Sequence, residues 1–477
     1  MNRRTLLRYG GFVFSVGGAK VAGVAISSLT FPFLVRHLGV EMYGLWNYVV
    51  AIGVFLETVA NPGLTVFLTQ QLAARRENAF ELVSDVLVLR ILSACVAIGV
   101  SWVVSSFEVR PEIRELMRVY LIGVFVVNLL GSDFLLGALE MFHSRSILAV
   151  LQQTMFAAGI FALVWKPTDV IWLPICVIGS SAITSIAGWF ILWRQGLRLR
   201  LVFQPRHWKA ILVPSAHYAI SSLMSSFYQR TGHLVVRWFL GDFALGIYAA
   251  AVRLLDLLRS LVIVIISVLM PRIAIAGRTG AGLARLTKVS VTIIAVVSIP
   301  LTAGLISTAN VLVPWLLGPK YIEDISLLRW MSAYIVGASA ASLFAGTILY
   351  AMGKHRAYLI STTAGAVSGV ILYATLTPTI GLKGAGLALV LGELCVVLAA
   401  YHFLPAELHA CWKSPAVAQS LVAGLIMIVA VRVVEFYHAD ALLVISTGAA
   451  VYLLTCFWLM RKSVAEEFRT AQLSVTD

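Results

Sequence analysis

Residues 36–46 read RHLGVEMYGLW, and residues 237–248 read RWFLGDFALGIY. Each stretch contains an Arg, then a Leu-Gly pair, four residues, a second Gly, an aliphatic residue and an aromatic one. Glycine adopts backbone angles that other residues avoid, so the two glycines of each stretch predict a sharp turn. The aromatic residues, Trp46 and Tyr248, are of the kind that anchors at a membrane–water interface. A turn that occurs twice indicates a chain built from two similar halves.

The composition places these turns between membrane helices. Of the 477 residues, 60% are hydrophobic and only 12% are charged, whereas soluble domains carry roughly 25% charged residues. Apolar stretches near the ~20 residues that cross a bilayer as a helix recur along the whole chain. Lipid offers no hydrogen-bond partner to backbone groups, so the spans must be helical. The sequence therefore predicts an all-α polytopic membrane protein with about fourteen transmembrane helices.

The connections between the predicted spans are short, and Lys and Arg are concentrated in alternate ones. Positive residues favour the cytoplasmic side, so this bias predicts a cytoplasmic N-terminus, and an even number of spans then predicts a cytoplasmic C-terminus. The basic start MNRRTLLRYGG is interpreted as part of an uncleaved first span, because its apolar run is too long for a signal peptide. The spans are predicted at approximately 10–35, 43–71, 84–106, 115–139, 146–165, 170–193, 211–237, 243–270, 288–316, 325–351, 357–377, 383–404, 415–435 and 440–460.

Charge and motif content exclude several functions. The net charge of +14 is dispersed among the spans, which is typical of contact with anionic lipid heads and not of nucleic-acid binding. The five cysteines are scattered without a CxxC or Cys/His cluster, so no metal site is predicted. No GxxxxGK[ST] motif is present, so ATP hydrolysis is not expected. The sequence predicts no cofactor, and the energy for transport is expected from an H⁺ or Na⁺ gradient, the membrane potential or the substrate's own gradient.

A second pair of similar stretches supports the two halves. MFHSR at 141–145 and MGKHR at 352–356 each follow the fourth predicted span of a half. The predicted organisation is an N-terminal six-helix half (1–200), a C-terminal six-helix half of the same orientation (201–410), and two extra helices with a cytoplasmic tail (411–477). Parallel repeats of this kind are a transporter architecture, in which the substrate site lies between the halves near the membrane midplane.

Further stretches carry a resemblance to a known family. They are Arg230 with the following LVVRWFLGDFALGIYAAAVRLLDLL, then LLGPKY at 316–321, and GLKGAGLALVLGELC at 381–395. In these stretches the chain resembles the polysaccharide-biosynthesis flippases, which serve O-antigen and exopolysaccharide synthesis. That family is part of the multidrug/oligosaccharidyl-lipid/polysaccharide exporter superfamily. The resemblance extends over essentially the whole chain.

The resemblance implies a MATE-like fold and a function. The implied function is the flipping of an undecaprenyl-pyrophosphate-linked oligosaccharide across the bacterial inner membrane by alternating access. It also implies contact with membrane lipids, and it makes a polysaccharide polymerase and the chain-length machinery candidate partners. Two stretches depart from the family pattern: TGH at 231–233 lacks the Asp that often follows the Arg of helix seven, and NPG at 61–63 replaces a typical DxG.

Charges inside the predicted spans are the candidate site residues, because each costs at least ~2.5 kcal/mol on insertion scales. Arg230 and Arg253 lie at similar depth on neighbouring helices, about eleven residues before and about twelve after the second turn. Two positive charges at one depth repel each other, so they are tolerated only if they face a water-filled cavity or an anion. Asp256 and Arg259 share a helix face with Arg253, so one positive charge stays unmatched.

A pyrophosphate group suits this excess of positive charge, because Arg binds phosphate oxygens in pairs and Lys adds a point charge. The pyrophosphate-binding candidates are Lys20, Arg230, Arg253 and Arg259. The candidates for charge pairing or ion coupling are Glu57, Asp133 and Asp256. Lys20 and Glu57 fall at comparable depth and are interpreted as an ion pair in which Lys20 can also join an anion site. Purely structural pairing fits the same residues, and Arg90 fits snorkelling to the membrane surface.

Two other functions remain alternatives. A drug or small-cation exporter of the same superfamily needs a site lined by acids and aromatics, whereas the candidate charges here are net basic. A membrane oligosaccharide polymerase or ligase needs a sizeable outer loop with a catalytic Arg or His, whereas the outer loops here are short. The sequence therefore favours a flippase, which is not an enzyme.

Overall fold

The structure, a computed structural model, describes residues 3–74, 79–196, 205–279, 282–437 and 440–473. Within these residues the chain is almost entirely helical and contains no strand, which confirms the prediction of an all-α protein. The predicted boundary between the halves, at residues 200 and 201, lies outside the described residues.

The α-helices of the described part follow one another with short connections. Pro111, Pro205 and Pro415 each occupy the first position of a helix, where the missing N–H of proline is not needed. The helices are α1 Arg3–Ala60, α2 Leu64–Ala74, α3 Ala79–Ser106, α4 Pro111–Leu130, α5 Asp133–Ala138, α6 Phe142–Leu163, α7 Trp172–Arg194, α8 Pro205–Thr279, α9 Leu283–Leu316, α10 Ile325–Met331, α11 Ala333–Leu343, α12 His355–Ile380, α13 Leu382–His402, α14 Pro415–Tyr437 and α15 Ala441–Leu473. A π-helical segment, Phe344–Leu349, continues α11, and short 3₁₀ segments lie at Pro167–Ile171, Pro319–Asp324 and Ala406–Trp412.

The helices are long and apolar enough to make this a multi-span membrane protein. Eleven helical segments of the described chain meet the length and hydropathy of a membrane span. Two of the eleven, Gly17–Ala60 and Trp208–Gly277, are far longer than one span, and each contains a non-helical glycine. When these two segments are divided at their glycines, the eleven segments become thirteen. With α4 added, the described chain has fourteen spans close to the predicted positions.

The glycines of the repeated sequence explain the two divisions. Gly39 has φ 73° and ψ 174°, and Gly241 has φ 85° and ψ −177°, so the two copies share one backbone conformation. A side chain is strained at such positive φ, which accounts for glycine at both positions. Gly44 and Gly246 instead lie in helical backbone, so the prediction that they also form the turn is wrong.

The aromatic residues of the repeated sequence lie inside the protein. Trp46 is 7% exposed and its ring lies 5.1 Å from that of Tyr120. Tyr248 is 1% exposed and its hydroxyl is 2.7 Å from the hydroxyl of Tyr373. The prediction that they anchor at the membrane surface is therefore wrong, because both rings fill interior space next to the helix break.

Two of the predicted continuous spans are interrupted. The second predicted span breaks at residues 61–63, between α1 and α2, and the fourth breaks at Gly131 and Ser132, between α4 and α5. Pro62 disfavours helical backbone in the residue before it. Gly63 has φ +73°, and a side chain there would collide with the carbonyl oxygen of Ser215. The first break therefore depends on both Pro62 and Gly63.

The chain divides into two compact units, Met1–Arg230 and Thr231–Asp477. In the first unit, one buried apolar cluster includes Leu64, Leu68 and Leu135, and joins α2, α3 and α5. In the second unit, a cluster that includes Met427 and Val444 joins α14 and α15. The first cluster packs the two interrupted helices together, and so holds the candidate site described next.

Candidate functional site

A polar cavity of about 250 Å³ lies within the first unit. It is bounded by residues from α1, α2, α3, α4 and α5 and includes both helix breaks. The residues that line it are Glu57, Ala60, Asn61, Thr65, Arg90, Ala94, Phe125, Asn128, Leu129, Gly131, Asp133 and Phe134. Interrupted helices inside a membrane protein expose backbone polar groups, and they are tolerated where they border a cavity.

The side chain of Asn61 stabilises the first break. Its Nδ2 donates a hydrogen bond to Thr65 Oγ1 at 2.9 Å, and its Oδ1 accepts one from the Thr65 backbone N–H at 3.3 Å. The asparagine thus satisfies a free N–H at the start of α2, as N-terminal capping residues do. Asn61 and Thr65 both present polar groups along the wall of the cavity.

Arg90, on α3, is the buried cation of the cavity. It is 7% exposed, its Nη2 donates to the carbonyl oxygen of Asn128 at 2.7 Å, and its guanidinium lies 4.0 Å from the centre of the Phe134 ring. Its Nη1 is buried and has no hydrogen-bond partner among the described residues. The interpretation of Arg90 as a snorkelling residue is therefore wrong, because its charge is held inside the unit.

The second break makes the bond to Arg90 possible. An α-helix leaves its last carbonyl groups without intrahelical partners, and α4 ends at Leu130. Arg90 binds the carbonyl of Asn128, and the indole N–H of Trp189 donates to the carbonyl of Leu130. Side chains of α3 and α7 thus stabilise the end of α4.

Asp133, a predicted charge-pair residue, lies at the start of α5 and pairs with Arg145. Arg145 Nε donates to Asp133 Oδ1 at 2.8 Å, and Arg145 Nη2 donates to Oδ2 at 2.9 Å. The partner comes from MFHSR, one of the repeated stretches. Asp133 also lines a second cavity of about 180 Å³, which shares Thr65 and Phe134 with the first and includes Arg145.

Glu57 and Lys20 do not form the predicted ion pair. In the described ranges, neither residue makes a hydrogen bond or an ion pair, and Lys20 is exposed on α1. Glu57 instead lines the cavity with Arg90, and the two interact electrostatically. The reason is the position of Glu57 close to the end of α1, just before the first break. There Glu57 borders the cavity with Arg90 of α3 and not with the start of α1.

Arg230 and Arg253 have no acidic partner within the part of the chain that the structure describes. Arg230 is half-buried and Arg253 is exposed, and neither makes a hydrogen bond or an ion pair there. In the first unit, Tyr120 interacts electrostatically with both Glu57 and Arg230. That these two arginines and Lys20 bind a pyrophosphate stays a prediction.

Asp256 and Arg259 belong to a hydrogen-bonded network of the second unit. Tyr334 donates to Asp256 Oδ1 at 3.0 Å, and Arg259 Nη1 donates to the Tyr334 hydroxyl at 3.1 Å. Arg259 Nη2 donates to Ser342 Oγ at 3.0 Å, and its Nη1 lies 3.9 Å from Asp256 Oδ1. These contacts tie α8 to α11, so the structural interpretation describes Asp256 and Arg259 better than phosphate binding does.

Several site residues were not predicted from the sequence. Asn61, Asn128 and Tyr334 carry the polar contacts described above, and as single uncharged residues in apolar spans they gave no strong signal. The usable signal was the NPG stretch at 61–63, because Pro followed by Gly predicts a helix break. The same stretch is also one of the two departures from the family pattern.

Comparisons with known proteins agree with this architecture. A family model described as "Polysaccharide biosynthesis protein" matches residues 12–276. An Escherichia coli (strain K12) protein named "Putative O-antigen transporter" is 22% identical over 379 residues, which cover 77% of this chain and 90% of that protein.

Among solved structures, "Lipid II flippase MurJ, inward closed conformation" superposes with a TM-score of 0.77 at 14% identity, covering 95% of this chain and 99% of that one. A MOP superfamily transporter from Pyrococcus furiosus superposes with a TM-score of 0.60 at 15% identity, covering 84% and 96%. At these identities the structural likeness concerns the fold, and it confirms the expected MATE-like arrangement of helices.

Proposed function

The chain belongs to the polysaccharide biosynthesis protein family, and from that premise we propose that it flips a lipid-linked oligosaccharide across its membrane. The proposed substrate is an undecaprenyl-pyrophosphate-linked oligosaccharide used for surface polysaccharide or exopolysaccharide. The proposed membrane is the bacterial inner membrane, with both termini in the cytoplasm. The two named flippase or transporter relatives support a transporter and not an enzyme.

One observation carries the choice of substrate: three cations on candidate spans lack a counter-ion in the described chain. Lys20, Arg230 and Arg253 lie in Gly17–Ala60 and Trp208–Gly277, and none makes an ion pair there. A charge inside a membrane protein is costly unless it is matched. A bound pyrophosphate would match such a cation, whereas a cationic drug would be repelled by it.

The cycle that we propose is alternating access. The pyrophosphate binds an unmatched cation, the sugars enter polar space within the protein, and the lipid tail stays in the bilayer. The energy comes from an H⁺ or Na⁺ gradient, the membrane potential or the substrate gradient. A polysaccharide polymerase and the chain-length machinery are the proposed partners that consume the flipped product.

The test uses a strain in which this gene is deleted and lipid-linked intermediates are measured on each face of the membrane. The deletion should leave the intermediates on the cytoplasmic face, and wild-type protein should restore their transfer. Arg253→Ala should block transfer at a normal protein level, because Arg253 holds no protein partner in the described chain.

Arg110→Ala is a matched control, since Arg110 lies in the connection before α4, where its Nε is 3.8 Å from Glu108 Oε1. It should transfer normally. Normal transfer by Arg253→Ala would contradict the assignment of pyrophosphate to Arg253, and equal distribution of intermediates in the deletion strain would contradict flipping itself.

A further inference from the structure

The charges around the cavity of the first unit balance within the described residues. Asp133 is neutralised by Arg145 through two short hydrogen bonds. Glu57 and Arg90 carry opposite charges, line the same cavity and interact electrostatically. A free anion in the cavity would meet the Glu57 carboxylate, and a free cation would meet the Arg90 guanidinium. The balance therefore disfavours both pyrophosphate and a metal cation as occupants.

The hydrogen-bonding capacity of the cavity is nevertheless incomplete. Arg90 Nη1 is a buried donor without a partner in the described chain, and leaving such a group unsatisfied is unfavourable. Glu57 is acceptor-only when ionised and makes no hydrogen bond there. An occupant that both accepts from Arg90 and donates to Glu57 would satisfy both groups.

Hydroxyl groups meet this requirement, because each is one donor and two acceptors. The cavity also offers apolar ring surface from Phe125 and Phe134 next to amide groups of Asn61 and Asn128. This mixture suits a sugar ring, whose hydroxyl edges are polar and whose C–H faces are apolar. At about 250 Å³, the cavity lies just below the ~300–1,000 Å³ of pockets for drug-sized ligands, so it suits one ring and not a whole oligosaccharide.

We infer that this cavity is a subsite for one neutral sugar unit of the substrate, an inference that rests on the proposed function. Arg90 Nη1 donates to a sugar hydroxyl, and Glu57 accepts from a neighbouring one. Arg230, which like Glu57 interacts electrostatically with Tyr120 of the first unit, binds the adjoining phosphate. The subsite thus binds the sugar, while an unmatched cation binds the phosphate.

The test measures protection of a cysteine in purified full-length protein. The five native cysteines are replaced, and Leu129→Cys places a thiol in the wall of the cavity without removing a polar group. Leu130→Cys is the matched control, because the neighbouring Leu130 is 58% exposed and does not line this cavity. The rate of thiol modification is measured with neutral methyl hexosides, a methyl N-acetylhexosaminide, sodium pyrophosphate, and sodium or potassium chloride.

At least one glycoside should slow the modification of L129C threefold or more and leave L130C unchanged, while pyrophosphate and the salts should have no effect. Arg90→Gln should abolish the protection. Ala94→Leu should also abolish it, because Ala94 lines the cavity and the change fills space without altering a polar group. This second variant keeps the test valid if Arg90→Gln does not fold.

Protection by pyrophosphate or by a salt alone would overturn the subsite, as would protection by no glycoside or protection that survives both variants. Failure of the subsite can be distinguished from failure of the proposed function. Flipping in vesicles without glycoside protection would refute only the subsite. Glycoside protection without flipping would refute the flippase function.

Discussion

The helical segments that follow Gly39 and Gly241 carry a charged residue at the same position, but the two charged residues have different surroundings. Glu57 lies eighteen residues after Gly39, and Arg259 lies eighteen residues after Gly241. Glu57 lines an open polar cavity without a hydrogen bond in the described chain. Arg259 is bound to Tyr334 and Ser342. Equivalent positions thus serve as a site wall in the first unit and as a structural tie in the second.

The backbone differs between these regions as well. Four residues after Glu57 the chain breaks at Asn-Pro-Gly, whereas the corresponding residues after Arg259 are Ile263, Val264 and Ile265, and α8 continues as a helix. Likewise α5, which follows a break before the MFHSR stretch, corresponds in position to the π-helical Phe344–Leu349 before MGKHR. The comparison teaches that similar sequences can border a cavity at a helix break in one unit and continue as helix in the other, through local Pro, Gly and polar substitutions.

The largest effect is expected from adding a side chain at Gly63, in the first break. Gly63→Ala should destabilise the protein by about 3 kcal/mol or more, because positive-φ strain adds to a collision with the Ser215 carbonyl. Gly39→Ala is the matched control: Gly39 also has φ +73° but no atom within 4 Å of an added Cβ. It should cost only the backbone strain, about 1–3 kcal/mol. Thermal unfolding in detergent measures both, and equal losses would show that packing at the break is unimportant.

The second prediction concerns the tie in the second unit. Arg259→Ala should lower the stability by about 2–4 kcal/mol, because it leaves Tyr334, Ser342 and the Asp256 carboxylate with fewer partners. The thermal midpoint and the amount of folded protein in the membrane check this. If Arg259→Ala is as stable as wild type but does not transport, Arg259 binds substrate, as the sequence first indicated.

The third prediction concerns the equivalent position in the first unit. Glu57→Gln should change stability by less than about 0.5 kcal/mol, since Glu57 holds no hydrogen bond in the described chain. Transport should fall, because the amide is a weaker acceptor for substrate hydroxyls than the carboxylate. The same thermal and transport measurements apply. A loss of stability as large as that of Arg259→Ala would remove the contrast between the units.

The last prediction concerns the pair of Asp133 and Arg145, for which a weak coupling is expected. Both side chains are about half exposed or more, at 67% and 47%, and exposed ion pairs contribute only about 0–1 kcal/mol. A double-mutant cycle with Asp133→Asn and Arg145→Gln should therefore give a coupling energy below about 1 kcal/mol. A coupling above about 2 kcal/mol would indicate that the pair is part of the structural core of the first unit.

Much of the fold was predictable from the sequence. Span positions follow from runs of apolar residues, and the helix interruptions at Gly39 and Gly241 follow from a repeated stretch. The buried positions of Trp46 and Tyr248 were not predictable, because an aromatic residue beside a turn suits the membrane surface and the protein interior equally well.

The candidate site was predictable only in part. Charged residues in spans are visible in the sequence, so Glu57, Asp133 and the unmatched cations were identified. Their partners were not, because pairing depends on which helices pack together. Arg90 reaches its partner only because α4 ends at Leu130 and frees the Asn128 carbonyl. Such a contact depends on a helix end that hydropathy does not show.

The central claim, that this protein flips a lipid-linked oligosaccharide by binding its phosphate group and its sugar, is tested most directly in vesicles. Purified protein is reconstituted into liposomes with a fluorescent polyprenyl-pyrophosphate-linked oligosaccharide, and the fraction of substrate reached by an external quencher is followed under imposed H⁺ and Na⁺ gradients and a membrane potential. Wild-type protein should expose nearly all of the substrate, whereas Arg253→Ala and protein-free liposomes should leave about half protected. If wild-type vesicles also leave half protected under every gradient, the account is contradicted.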